Sequence, residues 1–175
     1  MKVDVQVNTN FKKIANYKGK IYYGVPSDTS NKRQGKNLDE GTPKYNNAQI
    51  LQLMEYGSPI NNIPKRELLG PVIEKHSEQL SNALAQIINA LLADDEEKAD
   101  MLMQKLALRV ENWCKQFFIE DDNGWAPNAP ITINGGWMRN KVTGKPIYIK
   151  GKGSDRPLID TGSLRSSIKA FFQKE

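Results

Sequence analysis

Two stretches of this chain repeat apolar residues at helical spacing. Leu69, Ile73, His76, Leu80, Leu84, Ile87 and Leu91 follow one another at intervals of three or four, which predicts one helix with a long apolar stripe. Leu102, Leu106, Val110, Trp113 and Phe117 form a second stripe of the same kind. Only a short polar run separates the two, so an antiparallel helical hairpin is expected. Asp94 followed by Glu97 has the form of a capping box for the second helix, with Asp in place of Ser or Thr.

Shorter patterns surround this pair. Val3, Val5 and Val7 alternate with polar residues, as in a strand with one buried face, and residues 20–25 predict a second strand closed by Pro26. Between them, residues 8–10 open a short helix carrying Phe11, Ile14 and Ala15. Residues 48–56 predict a helix with Asn47 as N-cap and Gly57 at the left-handed position past its end. Ser58-Pro59 and Ile63-Pro64 then bracket a loop. Ile131, Ile133, Ile147 and Ile149 suggest one or two β-hairpins, with turns at Gly135-Gly136 and Thr143-Gly144. Near the end, Asp160 or Thr161 can cap a short helical turn starting near Gly162, followed by a strand in which Ile168, Ala170 and Phe172 alternate. The sum is an α+β fold: a small antiparallel sheet packed on a long antiparallel helix pair, with extended loops or β-hairpin arms. One domain over residues 1–175 is expected, with a long polar loop or arm at 27–46 and a hairpin or loop insertion at 128–153.

The net charge is +5, but its distribution changes the picture more than its sum: residues 1–66 carry +6, residues 67–134 carry −7 and residues 135–175 carry +6. Basic ends flank an acidic middle. Such segregation suits a nucleic-acid surface, a subunit whose basic face meets a neighbour's acidic face, or solvated faces without a partner. No apolar run approaches the roughly 18 residues of a membrane-spanning helix, so no membrane contact is expected. The first residues lack the apolar core of a secretory signal. Cys114 is the only cysteine, which leaves no disulfide framework and fits a reducing compartment.

Candidate chemistry is sparse. His76, the only histidine, lies on the first apolar stripe, where a partly buried, hydrogen-bonded ring is the plain expectation, and Cys114 beside Trp113 fits a packed small hydrophobe. The carboxylates at 94–97 and 120–122 lack the alternating spacing of a calcium loop, and zinc would need more Cys and His. No phosphate-cradling glycine motif is present, although residues 151–154 form a short Gly-Lys-Gly-Ser run. No cofactor, no metal and no enzymatic activity are expected.

Four motifs carry a resemblance. Glu55-Tyr56-Gly57-Ser58-Pro59 and Ile63-Pro64-Lys65-Arg66 resemble an "E-F-G-T … I-P-A-R-P-F" pattern. Trp125-Ala126-Pro127 and the run from Pro157 through Leu158-Ile159-Asp160-Thr161-Gly162-Ser163-Leu164-Arg165 to Ile168 resemble "W-x-P-L … K-P-L-I-D-T-G-x-L-x-x-S-I". Both patterns belong to the virion-morphogenesis or tail-completion (neck) proteins of tailed bacteriophages, the Mu G-like group. Glu67-Leu68 and Asn128 depart from the family pattern. The resemblance implies a small α+β subunit of the phage neck or tail end that forms a homo-oligomeric ring, often of six subunits. It would complete the tail or join head to tail, meeting connector, tail-tube or terminator proteins in a virion assembled in the host cytoplasm. Glu55, Tyr56, Gly57, Pro64, Arg66, Trp125, Pro127, Pro157, Asp160, Thr161, Gly162, Leu164 and Arg165 would then form the structural and interface motif. Arg66 sits badly at a helix start for the macrodipole, so an acidic partner is expected for it. Lys32, Arg33, Lys36, Arg139, Lys141, Lys150 and Lys152 are candidates for contacts with neighbouring subunits or with genomic DNA in the lumen. The alternative function is a nucleic-acid-binding module that uses those same basic loops.

Overall fold

The computed structural model describes residues 10–26, 45–140, 143–153, 155 and 162–175. The strand expected at Val3–Val7, the polar segment 27–44, and Pro157, Asp160 and Thr161 lie outside them. The fold is α+β. The chain divides into two compact units, each assembled from distant segments: 1–24, 70–113 and 169–175 in the first, 25–69 and 114–168 in the second.

In the first unit, helix α1 (Asn10–Asn16) leads into strand β1 (Gly19–Gly24), which pairs antiparallel with β4 (Lys169–Lys174) from Gly19↔Lys174 to Gly24↔Lys169. The long helix expected from residue 69 is interrupted at His76, giving α3 (Leu69–Lys75) and α4 (Ser77–Leu92). Hydrogen bonds still reach the break from both sides, His76 N to Val72 O at 3.2 Å and Leu80 N to His76 O at 2.9 Å. The His76 ring stacks on Trp113 at 4.4 Å and 8°. Among the described residues its buried Nδ1 has no hydrogen-bond partner, so at that nitrogen the ring is not hydrogen-bonded as expected. The buried side of α4 runs through Ala83, Ile87, Ala90 and Leu91, while Leu84 is exposed.

Helix α5 (Glu96–Phe117) returns antiparallel to α4 as expected, contributing residues 96–113 to the first unit and 114–117 to the second. The turn between them differs by one residue from the capping-box reading. Asp94 adopts a left-handed φ of 64°, and the bonds Asp95 N to Ala90 O (2.9 Å) and Asp94 N to Leu91 O (3.2 Å) close α4 as a Schellman motif. With Asp94 so used, Asp95 caps α5, its Oδ1 accepting from Lys98 N at 3.0 Å. Ala99, Met103, Leu106, Ala107 and Val110 of α5 and Ala170 of β4 are buried.

The sheet is fastened to α5 by polar contacts. Glu111 accepts from the Ala170 amide at 3.0 Å, and Asp100 accepts from the Tyr17 hydroxyl and the Lys174 ammonium, each at 2.7 Å. Burial, followed by the bond to Asp100, pushes the Tyr17 hydroxyl pKa well above its ordinary value. Burial alone would raise the Asp100 carboxyl, but its bonds from Lys174 and Tyr17 outweigh that and hold it below the usual range. Among the described residues, no helix is long and apolar enough to cross a membrane.

The second unit starts at α2 (Asn47–Tyr56). Its N-cap is Asn46, one residue before the expected Asn47. Asn46 Oδ1 accepts from Gln49 N at 2.8 Å, and Gln49 Oε1 accepts from Asn46 N at 3.0 Å, a reciprocal capping box. Asn47 is instead buried and donates to Ser163 Oγ at 3.1 Å. Ile131 and Ile133 were expected in a strand but lie in a short helix, α6 (Pro130–Asn134), with proline at its first position. One hairpin follows, β2 (Gly135–Arg139) with β3 (Pro146–Lys150), so Gly135-Gly136 opens a strand rather than forming a turn. Helix α7 (Ser163–Ser167) comes next, its N-cap seat held by Gly162 at φ 71°.

Candidate functional site

Most of the described motif residues meet in one loop junction of the second unit. Helix α2 ends at Tyr56, and Gly57 takes a φ of 69°. A Cβ there would stand 2.9 Å from Lys65 N and 3.0 Å from Ile63 O, so the turn both needs the positive φ and leaves no room for a side chain. Ser58 and Ile63 then exchange backbone hydrogen bonds of 2.9 and 3.0 Å around a single 3-10 turn at Pro59–Asn61. This folds residues 58–63 into a small lobe and returns the chain to α2, where Arg66 N donates to Met54 O at 2.8 Å.

Glu55 fixes the far side of the lobe. Its Oε1 accepts from Leu68 N at 2.8 Å and Leu69 N at 3.0 Å, satisfying orphan amides at the start of α3 with a negative charge where the helix dipole favours one. Arg66 is buried, with only 8% of its surface exposed. Its expected acidic partner is not what it finds: Nε and Nη2 donate to Ala126 O at 3.0 and 2.9 Å, and Nη2 donates to Pro127 O at 3.2 Å. Burial pushes the guanidinium pKa down, and carbonyl dipoles rather than a carboxylate compensate the charge. Arg66 thereby clamps the segment carrying Trp125 and Pro127 against its own loop.

Trp125 completes the junction. Its Nε1 donates to Glu67 O at 2.7 Å, and its ring meets Phe117 and Phe118 edge-on at 5.6 and 5.3 Å. Asn123 Oδ1 accepts from Trp125 N at 3.1 Å, bending the chain after α5. Leu164 is buried in α7, and Arg165 Nε donates to Lys115 O at 2.8 Å. The side-chain hydrogen bonds of Glu55, Arg66, Trp125 and Arg165 among the described residues therefore run to backbone groups. The outer residues behave differently: Tyr56 and Ile60 are 76% and 88% exposed, and Pro64 and Pro127 are exposed as well.

This arrangement can shape a surface. Cys114 is buried, as a packed small hydrophobe would be. Among the described residues, no cluster of His, Cys, Asp and Glu could hold a metal ion. A surface cavity of about 300 Å³ in the first unit is lined by Asn16, Tyr17, Leu91, Asp94 and Glu96, away from every motif residue in sequence.

Of the basic candidates, Lys32, Arg33, Lys36 and Lys141 lie outside the described residues. Arg139 and Lys150 lie on the β2–β3 hairpin, and Lys152 follows it, its amide bonded to Thr132 O at 2.9 Å. Trp137 and Tyr148 on the same hairpin escaped the sequence reading. The alternation Gly135-x-Trp137-x-Arg139 opposite Tyr148-x-Lys150 was the available signal. No protein family, no curated protein and no solved structure matches this chain.

Proposed function

We propose that this chain is a structural subunit of a bacteriophage neck or tail end. Copies of it form a ring that completes the tail or joins head to tail, in contact with connector and tail-tube or terminator proteins. The observation that carries the reading is how the motif residues are used. Glu55, Arg66 and Trp125, which bear the sequence resemblance, lock one loop junction through hydrogen bonds to backbone groups, and Gly57, of the same motif, supplies its tight turn. They present Tyr56, Ile60, Pro64 and Pro127 outward. A motif spent on holding an exposed lobe in shape serves contact rather than bond-breaking. The segregation of charge into a basic–acidic–basic order supports association between copies in a fixed orientation.

The test is sedimentation velocity and native mass measurement on the full chain, alone and with head and tail-tube preparations. Negative-stain imaging should accompany it. A closed multi-copy species, formed by the chain or on addition of a virion partner, is expected. A chain that stays single-copy in every mixture refutes the reading.

A further inference from the structure

We infer that the β2–β3 hairpin is a platform for single-stranded nucleic acid, with Trp137 and Tyr148 stacking on bases and Arg139 and Lys150 holding the flanking phosphates. This goes beyond the assembly reading and does not depend on it.

The register sorts the ribbon into two faces. Gly136↔Ile149 and Met138↔Ile147 point one way, mostly half-buried, and a Cβ on Gly136 would lie 3.8 Å from the Ile131 side chain of α6. Gly135↔Lys150, Trp137↔Tyr148 and Arg139↔Pro146 point the other way. On that outer face the two aromatic rings sit opposite each other, centroids 5.4 Å apart at 65°, and are 72% and 61% exposed. A cation stands beyond the pair at each end, about 7 Å along its strand. Each cation faces a residue that cannot cover it, Arg139 facing Pro146 and Lys150 facing Gly135. No ion pair is formed by either among the described residues.

Charge decides what such a face accepts. From Asn123 to Ser154 the sequence has no Asp or Glu, but it has Arg139, Lys141, Lys145, Lys150 and Lys152. Hairpin stability alone explains why two aromatics pair across strands. It does not explain why both stay mostly in water between two cations on an acid-free segment. Aromatic faces set between basic groups match unpaired bases joined by phosphates, because every base offers a π-face and every linkage a negative charge. The ribbon is also held in place for such a role: Lys152 N donates to Thr132 O at 2.9 Å and Gly153 N to Ile133 O at 3.0 Å, tying its base to α6.

The experiment follows the anisotropy of a fluorescein-labelled oligothymidine of about 16 nucleotides, a length within the usual site sizes of such platforms, titrated with the full chain at several salt concentrations. Trp137→Leu and Tyr148→Leu should each weaken binding about tenfold while leaving the salt slope unchanged. Arg139→Gln combined with Lys150→Gln changes only exposed side chains and should reduce the salt slope by about 1.4, that is two single-strand phosphates. A blunt duplex of equal length should bind more weakly than the single strand. Binding of the duplex as tight as that of the single strand would overturn the proposal, as would wild-type affinity in both leucine variants. So would failure to bind oligothymidine while vesicles of phosphatidylserine and phosphatidylcholine retain the chain, or while the hairpin variants instead lower its oligomeric mass. Ring formation without oligonucleotide binding overturns this inference and leaves the assembly reading intact; the reverse outcome does the opposite.

Discussion

Replacing Arg66 isolates the clamp that defines the junction. Its guanidinium donates three hydrogen bonds to two carbonyls, those of Ala126 and Pro127, from a side chain left only 8% exposed. Hydrogen bonds from a charged donor contribute about 1.5–3 kcal/mol each, but two of these share one oxygen and so are not additive. Relief of the buried charge offsets part of the loss. A net destabilisation of about 2–3 kcal/mol is expected for Arg66→Ala. Arg66→Met keeps the apolar stem and removes every donor, so it should lose nearly as much, about 2 kcal/mol. Arg66→Lys puts a single ammonium where a planar fork spanned Nε and Nη2, and should fall between Met and the native residue. Urea unfolding followed by tryptophan fluorescence reads these differences. With a slope of about 2 kcal/mol per molar, the Met variant should shift the midpoint down by about 1 M. A Met variant with an unshifted midpoint would show that the carbonyl bonds contribute nothing and that Arg66 acts only through its stem.

Three further outcomes are expected. Gly57→Ala places a Cβ 2.9 Å from the Lys65 amide at a positive φ and should cost at least about 2 kcal/mol in the same unfolding assay. Asn46→Ala removes the side-chain half of the capping box on α2, the Oδ1 that accepts from Gln49 N, and should cost about 1 kcal/mol, while Asn46→Asp should retain most of the stability. Asp100 has its folded pKa below the ordinary value, so its contribution is fully present above about pH 4 and is lost as pH falls through the lowered folded value. Asp100→Asn should therefore lower stability at neutral pH and flatten the acid limb of the stability–pH curve. An acid limb identical to that of the native chain would contradict the pairing with Lys174 and Tyr17.

What the sequence reveals and what it hides follow from the kind of interaction involved. The α4–α5 hairpin is legible because apolar spacing of three and four residues encodes a helix directly. The break at His76 is not, since neither glycine nor proline occupies that position. At helix ends the ambiguity is between adjacent residues with the same chemistry: Asn46 or Asn47, Asp94 or Asp95. Local backbone conformation decides each pair, as when Asp94 takes the left-handed seat and leaves the cap to Asp95. Ile131 and Ile133 fit both periods over so short a run, and Pro130 at the first helical position settles the matter. The junction is half legible. Its donors and acceptors, Glu55, Arg66 and Trp125, stand out as residues, but their partners are backbone groups of Leu68, Ala126 and Glu67. Backbone amides and carbonyls are alike at every position, so no sequence pattern names which one a side chain will find.

Native mass measurement of the full chain mixed with head and tail-tube components tests the central claim most directly. The account predicts a multi-copy ring whose formation weakens when the exposed Tyr56 and Ile60 are both changed to serine, with the monomer still folded. A folded chain that remains single-copy throughout, indifferent to those substitutions, would contradict it.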